Sequence, residues 1–350
     1  MFYLNFVMKH IGLKLILGAT VLGLVVVCAT QPAPAQTETL LYSFGAYTGD
    51  ADWPDAGLVM DTNGNLYGTT YAGGAYDYGT VFELTPAGEE TVLYSFGSQP
   101  NDGEHPESGL IMDKKGNLYG TTYWGGANGE GTVFKLTPAG KETVLYSFKG
   151  YPDGGKPVAG LIMDKNKNLY GTTSSGGAHG SGAVFEVTQA GAETLLYSFL
   201  GTIPDGNTPY GGLIMDTASD LYGTTFYGGA DNLGTVFKLT KNGTETVLHS
   251  FAGYPGDGEY PLSGLVMDKK NNLYGTTVFG GADNDGIVFE ISPHHGGSAW
   301  TETILHTFTG EPGDGQRSFG GLIMDKAGNL YGTTYYGGAY NNGTVFEITP

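Results

Sequence analysis

The chain has 350 residues, with 61 Gly, 24 Tyr and 17 Phe, only 15% charged residues and a formal charge of −19. A 40% hydrophobic share supplies a large buried core and excludes intrinsic disorder. Acidic residues outnumber basic ones 35 to 16 and Arg317 is the sole arginine, which excludes a nucleic-acid ligand, because backbone phosphates require clustered Lys and Arg.

The first element is an address. Lys9 and Lys14 precede the apolar run Leu15 to Ala29, and the small-residue site Ala33-Pro34-Ala35 follows. A positive region, an apolar run and an A-x-A site make a secretory signal peptide over residues 1–35, cleaved after Ala35. A retained membrane anchor is the rival reading, since the run approaches the ~20 residues that span a bilayer. Cys28, the one cysteine, lies inside this segment, so the mature protein has no disulfide, zinc thiolate or cysteine nucleophile. Residues 36–350 are then an exported, acidic single domain, expected as a monomer at or beyond the cell surface and without membrane insertion.

That domain is built from one repeated unit. Tyr-Gly-Thr-Thr recurs with its Gly at 68, 120, 171, 223, 275 and 332, at intervals of 52, 51, 52, 52 and 57 residues. Each unit predicts four strands, as in the second copy: Gly109–Asp113, Asn117–Thr122, Gly131–Thr137 and Glu142–Phe148. β-branched and aromatic residues fill these runs, and Gly, Pro, Asn and Asp fill the gaps. Four antiparallel strands per ~50 residues is a propeller blade. The mature chain opens with a fourth-type strand, Glu38–Phe44, and ends with a third-type strand, Gly343–Thr349. The expectation is an all-β, six-bladed β-propeller of four-stranded antiparallel blades, closed by the N-terminal strand completing the last blade, which leaves no free edge.

The unit G-L-x-M-D-x-x-G-N-L-Y-G-T-T-x-x-G-G-A-x-x-x-G-T-V-F-x-L-T-P-x-G-x-E-T-x-L-Y-S-F, seen at Gly57–Phe96 and Gly109–Phe148, resembles the bacterial choice-of-anchor tandem repeat GloVer family. The resemblance implies an exported or cell-surface protein, because relatives carry varied C-terminal anchoring domains; it implies no chemistry. This chain stops at Pro350 without such a domain, so release from the cell and a shortened reading frame both stay open.

With the fourth strand outermost, loops 4→1 and 2→3 share one face, and the uniform turns 1→2 and 3→4 share the other. The 4→1 loop is built on D-G-x-x-P, whose Asp recurs at 50, 102, 153, 205, 257 and 314. The residue before the proline varies: Trp53, His105, Lys156, Thr208, Tyr260 and Arg317, with Ser318 replacing the last proline. The 2→3 loop opens with mostly aromatic pairs, containing Tyr71, Trp124, Tyr227, Phe279 and Tyr336. A constant frame with a variable tip reads as a recognition surface, and Trp53, His105, Lys156, Tyr260, Arg317, Tyr71, Trp124, Tyr227, Phe279 and Tyr336 are the candidate ligand contacts. The competing reading is drift at an exposed tip, or aromatics wedged between blades.

Other chemistry has weaker support. The strand-ending aspartates 61, 113, 164, 216, 268 and 325 suit turn acceptors. Calcium is the rival for Asp283-Asn284-Asp285-Gly286 and Asp50-Ala51-Asp52, but neither completes a loop motif, so no cofactor and no catalytic residue is expected. His105, His179, Lys156 and Arg317 are the unique ionisable residues that a lyase, lactonase or hydrolase at the channel mouth would use. The sequence therefore favours a non-enzymatic binding or scaffold propeller for an extracellular glycan or surface partner. A propeller enzyme and a purely structural surface repeat are the alternatives.

Overall fold

The computed structural model describes residues 39–47, 49–293, 299–310 and 312–350; residues 1–35, which the sequence reading takes as a signal peptide, lie outside them. Residues Leu41–Pro350 form one compact unit, a six-bladed β-propeller. Blade 2 shows the pattern. Its strands Ile111–Met112, Leu118–Thr122, Thr132–Leu136 and Glu142–Ser147 pair antiparallel in chain order, with the fourth at the edge. The first strand is two residues long in place of the expected five: Leu110 joins the core cluster with Val81 and Phe96 of blade 1, and Asp113 belongs to the turn.

Packing between blades explains the repeated residues. Phe96, at the end of the fourth strand of blade 1, meets Phe134 of blade 2 edge-on at 5.1 Å, and both are fully buried. The same pair recurs as Phe148–Phe185, Phe199–Phe237, Phe251–Phe289 and Phe308–Phe346. Gly120 of Tyr-Gly-Thr-Thr lies under this ring: a Cβ there would stand 2.8 Å from Phe134 and 2.9 Å from Leu110. The glycine is thus required by close approach, not by backbone conformation. The first threonine of the motif ties blades together, as when the Thr69 hydroxyl donates to the Ser108 carbonyl at 2.9 Å and Thr224 to Ser263 at 2.9 Å. The second threonine pairs within a blade, Thr122 with Thr132 at 2.9 Å.

Among the described residues, the backbone ladder of the expected clasp is absent, although its side-chain contacts are made. Five sheets have four strands and the sixth has three, because Thr344–Ile348 pairs with Leu330–Thr334 alone. The described part of the N-terminal segment, residues 39–44, forms no strand. Val345 is 81% exposed, whereas Val81, Val133, Val184, Val236 and Val288 at the same place are 0% exposed. The segment nonetheless makes the contacts that a fourth strand makes with the next blade, with Phe44 edge-on to Phe82 of blade 1 at 4.9 Å and the Tyr42 hydroxyl donating to Asp50 at 3.0 Å. These side-chain contacts copy an interior seam and form without a backbone ladder to blade 6 among the described residues.

The insertion before Thr301 extends the hairpin of blade 5, whose fourth strand runs Trp300–Thr307. Trp300 packs on Tyr222 of blade 4, 6.1 Å between ring centres. Residues 294–298 of that insertion lie outside the described residues.

Candidate functional site

The two variable loop families meet on one face, as the chain order demanded, but by a device that sequence reading missed. Residues of D-G-x pair with the 2→3 loop as a separate two-stranded ribbon, Gly103–Glu104 with Trp124–Gly125 in blade 2, and likewise in every other blade. Each ribbon is anchored from below by its Asp. Asp102 accepts from the Tyr94 hydroxyl at 2.7 Å, from Ser98 N at 2.9 Å and from Gly103 N at 2.8 Å. The D-G aspartates are therefore frame, as are the strand-ending ones: Asp113 accepts from Lys115 N at 2.8 Å and from Asn117 N at 3.0 Å. Both candidate calcium segments are already engaged by protein donors. Asp50 accepts from Ala46 N and Ala51 N, each at 2.8 Å, and Asp285 accepts from Gln316.

The tip residues share an unusual backbone. Trp53, His105, Lys156, Thr208, Tyr260 and Arg317 all have φ between +53° and +59°, the left-handed region that non-glycine residues rarely enter. A residue before proline ordinarily reads as extended, so the pattern gave no warning. Two backbone hydrogen bonds hold the conformation. In blade 2, His105 N donates to Tyr78 O of blade 1 at 2.8 Å, and His105 O accepts from Tyr123 N at 3.0 Å. Lys156, Thr208, Tyr260 and Arg317 repeat both bonds.

This geometry throws each tip side chain onto aromatic rings. The Trp53, Tyr71 and His105 rings stack in series, at 6.2 Å and 4.5 Å between centres. Lys156 Nζ sits over the Trp124 ring, 2.9 Å from its centre, and 3.7 Å from Glu130. Burial pulls the Lys156 ammonium below the usual lysine range, while Glu130 acts in the opposite sense. Tyr260 stacks on Phe226 at 5.0 Å and stands edge-on to Tyr227 at 5.6 Å and Phe279 at 6.2 Å. The Arg317 guanidinium covers Phe279 at 4.8 Å and Tyr336 at 5.8 Å. The arc of rings is interrupted where the 2→3 pair is Ser174-Ser175 and the following tip is Thr208.

All ten sequence-selected residues thus lie on one face, but not in one cluster. His105, Lys156 and Arg317 each contact different aromatic rings, and none of these described contacts joins two of the three. Exposed ring surface remains at Trp53 (61%), Trp124 (42%), Tyr227 (38%) and Tyr336 (38%). Tyr335, which was not selected, is as exposed as Trp53. Tyr71, His105, Lys156, Tyr260, Phe279 and Arg317 are half-buried by the stacking.

The Gloeobacter/Verrucomicrobia repeat matches residues 18–166 and 140–346, nearly the whole chain. The chain belongs to this repeat family. No curated protein matches it. Among solved structures, it is similar to a 6-phosphogluconolactonase candidate from Bacteroides uniformis, at 12% identity over 85% of this chain and 86% of that one, with a TM-score of 0.53. It is also similar to the soluble aldose sugar dehydrogenase of Escherichia coli in its apo form, at 13% identity over 86% and 97% of the two chains, with a TM-score of 0.50. At such identities the likeness concerns the fold alone.

Proposed function

We propose that this repeat protein is an exported, non-catalytic binding propeller whose ribbon face takes an extracellular glycan. The observation that carries the reading is the left-handed tip. In none of the six copies is that residue glycine, although glycine avoids a conformational cost of roughly 1–2 kcal/mol. The retained side chains differ completely from copy to copy, so what is kept is a projecting group on a rigid ribbon. Exposed Trp and Tyr rings beside these tips offer apolar faces to sugar C–H groups, and neighbouring Ser, Thr and Asn side chains suit hydroxyls.

Two other readings have a specific observation behind them. The named structural neighbours include a lactonase candidate and a sugar dehydrogenase, but a channel-mouth enzyme needs its acid and base together, and His105, Lys156 and Arg317 hold separate ring contacts. A purely structural role draws support from the same stacking, since His105, Lys156, Tyr260 and Arg317 each tie one blade to the last. Retention of the secreted wild type on a panel of insoluble polysaccharides separates these readings. We expect one polysaccharide to retain the wild type, and the doubly substituted Trp124→Ala, Tyr336→Ala chain to run through at unchanged melting temperature. Absence of retention by the wild type removes the glycan reading.

A further inference from the structure

Five of the six seams carry the same trio near the outer edge among the described residues: an aromatic or imidazole group from the segment that precedes the D-G loop, the D-G aspartate of that loop, and a glutamate from the next fourth strand. In four seams the first member is tyrosine. Tyr94 donates to Asp102 and Tyr146 to Asp153, both at 2.7 Å, and Tyr42 and Tyr197 do the same to Asp50 and Asp205 at 3.0 Å. The facing glutamates, Glu90, Glu142, Glu193 and Glu245, keep buried carboxylate oxygens without a hydrogen-bond partner.

The seam between blades 4 and 5 departs from this rule. There the tyrosine is replaced by His249, and His249, Asp257 and Glu302 bring one nitrogen and two carboxylate oxygens within 4.8 Å of one another. His249 Nε2 lies 3.2 Å from Asp257 Oδ2 and 3.7 Å from Glu302 Oε1, and the three side chains are 19%, 12% and 15% exposed. Glu302 Oε1 is buried and has no hydrogen-bond partner. Ligand atoms about 2.0–2.1 Å from a tetrahedral ion stand roughly 3.3–3.4 Å apart, a spacing that lies between the two separations measured from His249 Nε2. The Asp257 carboxylate is already oriented by Ala252 N at 2.7 Å and Gly258 N at 2.6 Å, the outer-shell support that ligating carboxylates usually have.

We propose that His249, Asp257 and Glu302 form a binding site for a divalent first-row metal of the zinc class, clamping the outer strands of blades 4 and 5. One imidazole and two carboxylates suit such an ion in donor type, and their two negative charges neutralise it. The phenols of the other seams are poor ligands while they hold their protons, and burial and the adjacent aspartate push those of Tyr94, Tyr146 and Tyr197 well above the usual range. The other histidine of this kind, His306, meets Asp314 at 3.1 Å, but the three-stranded sixth sheet supplies no facing glutamate among the described residues. The site is therefore particular to one seam.

Calorimetric titration of the chelator-stripped full chain with Zn2+ at pH 7.5 tests this, with Co2+ absorption as the second readout. We expect one ion per chain, a rise in melting temperature on loading, and a tetrahedral Co2+ spectrum. His249→Tyr restores the residue used by four other seams and so keeps the fold; it should abolish the site, Glu302→Gln should weaken it at least tenfold, and His306→Tyr should leave it unchanged. The proposal is overturned if the wild type binds no stoichiometric Zn2+, or if His249→Tyr binds as the wild type does. A histidine that merely pairs with the two carboxylates would give the first of these results.

Discussion

The two faces of the propeller are made from the same number of loops, yet they repeat differently. On the turn face, six aspartates accept the same backbone donors two and four residues ahead, Asp164 from Asn166 and Asn168 just as Asp113 does from Lys115 and Asn117. On the ribbon face the backbone is equally constant, with φ near +57° at every tip, but the side chains run from Trp to Lys. On the ribbon face a strained backbone is kept beneath changing side chains, whereas on the turn face backbone and acceptor side chains are constant together.

The largest effect should come from breaking what both faces share. Gly120→Val places branched carbon against Phe134 and Leu110 and should cost about 3 kcal/mol or more, read as a lower denaturation midpoint; an unchanged midpoint would contradict close packing at the seam. Next is the turn face. Asp113→Ala strands the Lys115 and Asn117 donors and should cost about 2–3 kcal/mol without altering polysaccharide retention. A loss of retention at full stability would erase the distinction between the faces.

The seam glutamates give a pH signature shared by several blades. Burial and the nearby aspartate raise Glu142 to about 8 and Glu245 to about 7, and Glu193 is likewise raised to about 7. Because these folded-state values exceed the unfolded ones, the folded chain binds more protons between about pH 4.5 and 8. Stability is therefore fully present below that window and falls as pH rises through it. In metal-free buffer the melting temperature should be about 5 °C or more lower at pH 8.5 than at pH 5.5, and Glu142→Gln should flatten part of that slope. A rising melting temperature over the same range would contradict the arrangement. The smallest stability effect belongs to the ribbon face, where Trp53→Ala with Tyr335→Ala should shift the midpoint by under about 1 kcal/mol, since both rings are mostly exposed, while weakening retention severalfold.

Much of this was legible beforehand. Alternating β-branched and aromatic runs, with glycine and aspartate between them, fixed the strands of each blade to within a few residues, because those residue types act locally. The ten selected residues do share a face, since loop order alone assigns it. What escaped depends on contacts between copies. The left-handed tips are set by hydrogen bonds such as His105 N to Tyr78 O, and a pre-proline histidine looks extended without them. For the clasp, the repeat pattern of Tyr42 and Phe44 foretold the side-chain contacts with blade 1, whereas the backbone ladder to the last blade is absent among the described residues. His249 was visible as a departure from the Tyr-Ser-Phe ending, but only the fold shows that Glu302 faces it.

Hydroxyl-radical footprinting of the wild type on the polysaccharide that retains it addresses the ribbon face most directly. Protection should gather at Trp53, Trp124, Tyr227, Tyr335 and Tyr336, with Trp300 on the turn face as reactive as in the free protein. Protection of Trp300, or rings on the ribbon face that stay fully reactive in the bound state, would contradict the assignment of recognition to that face.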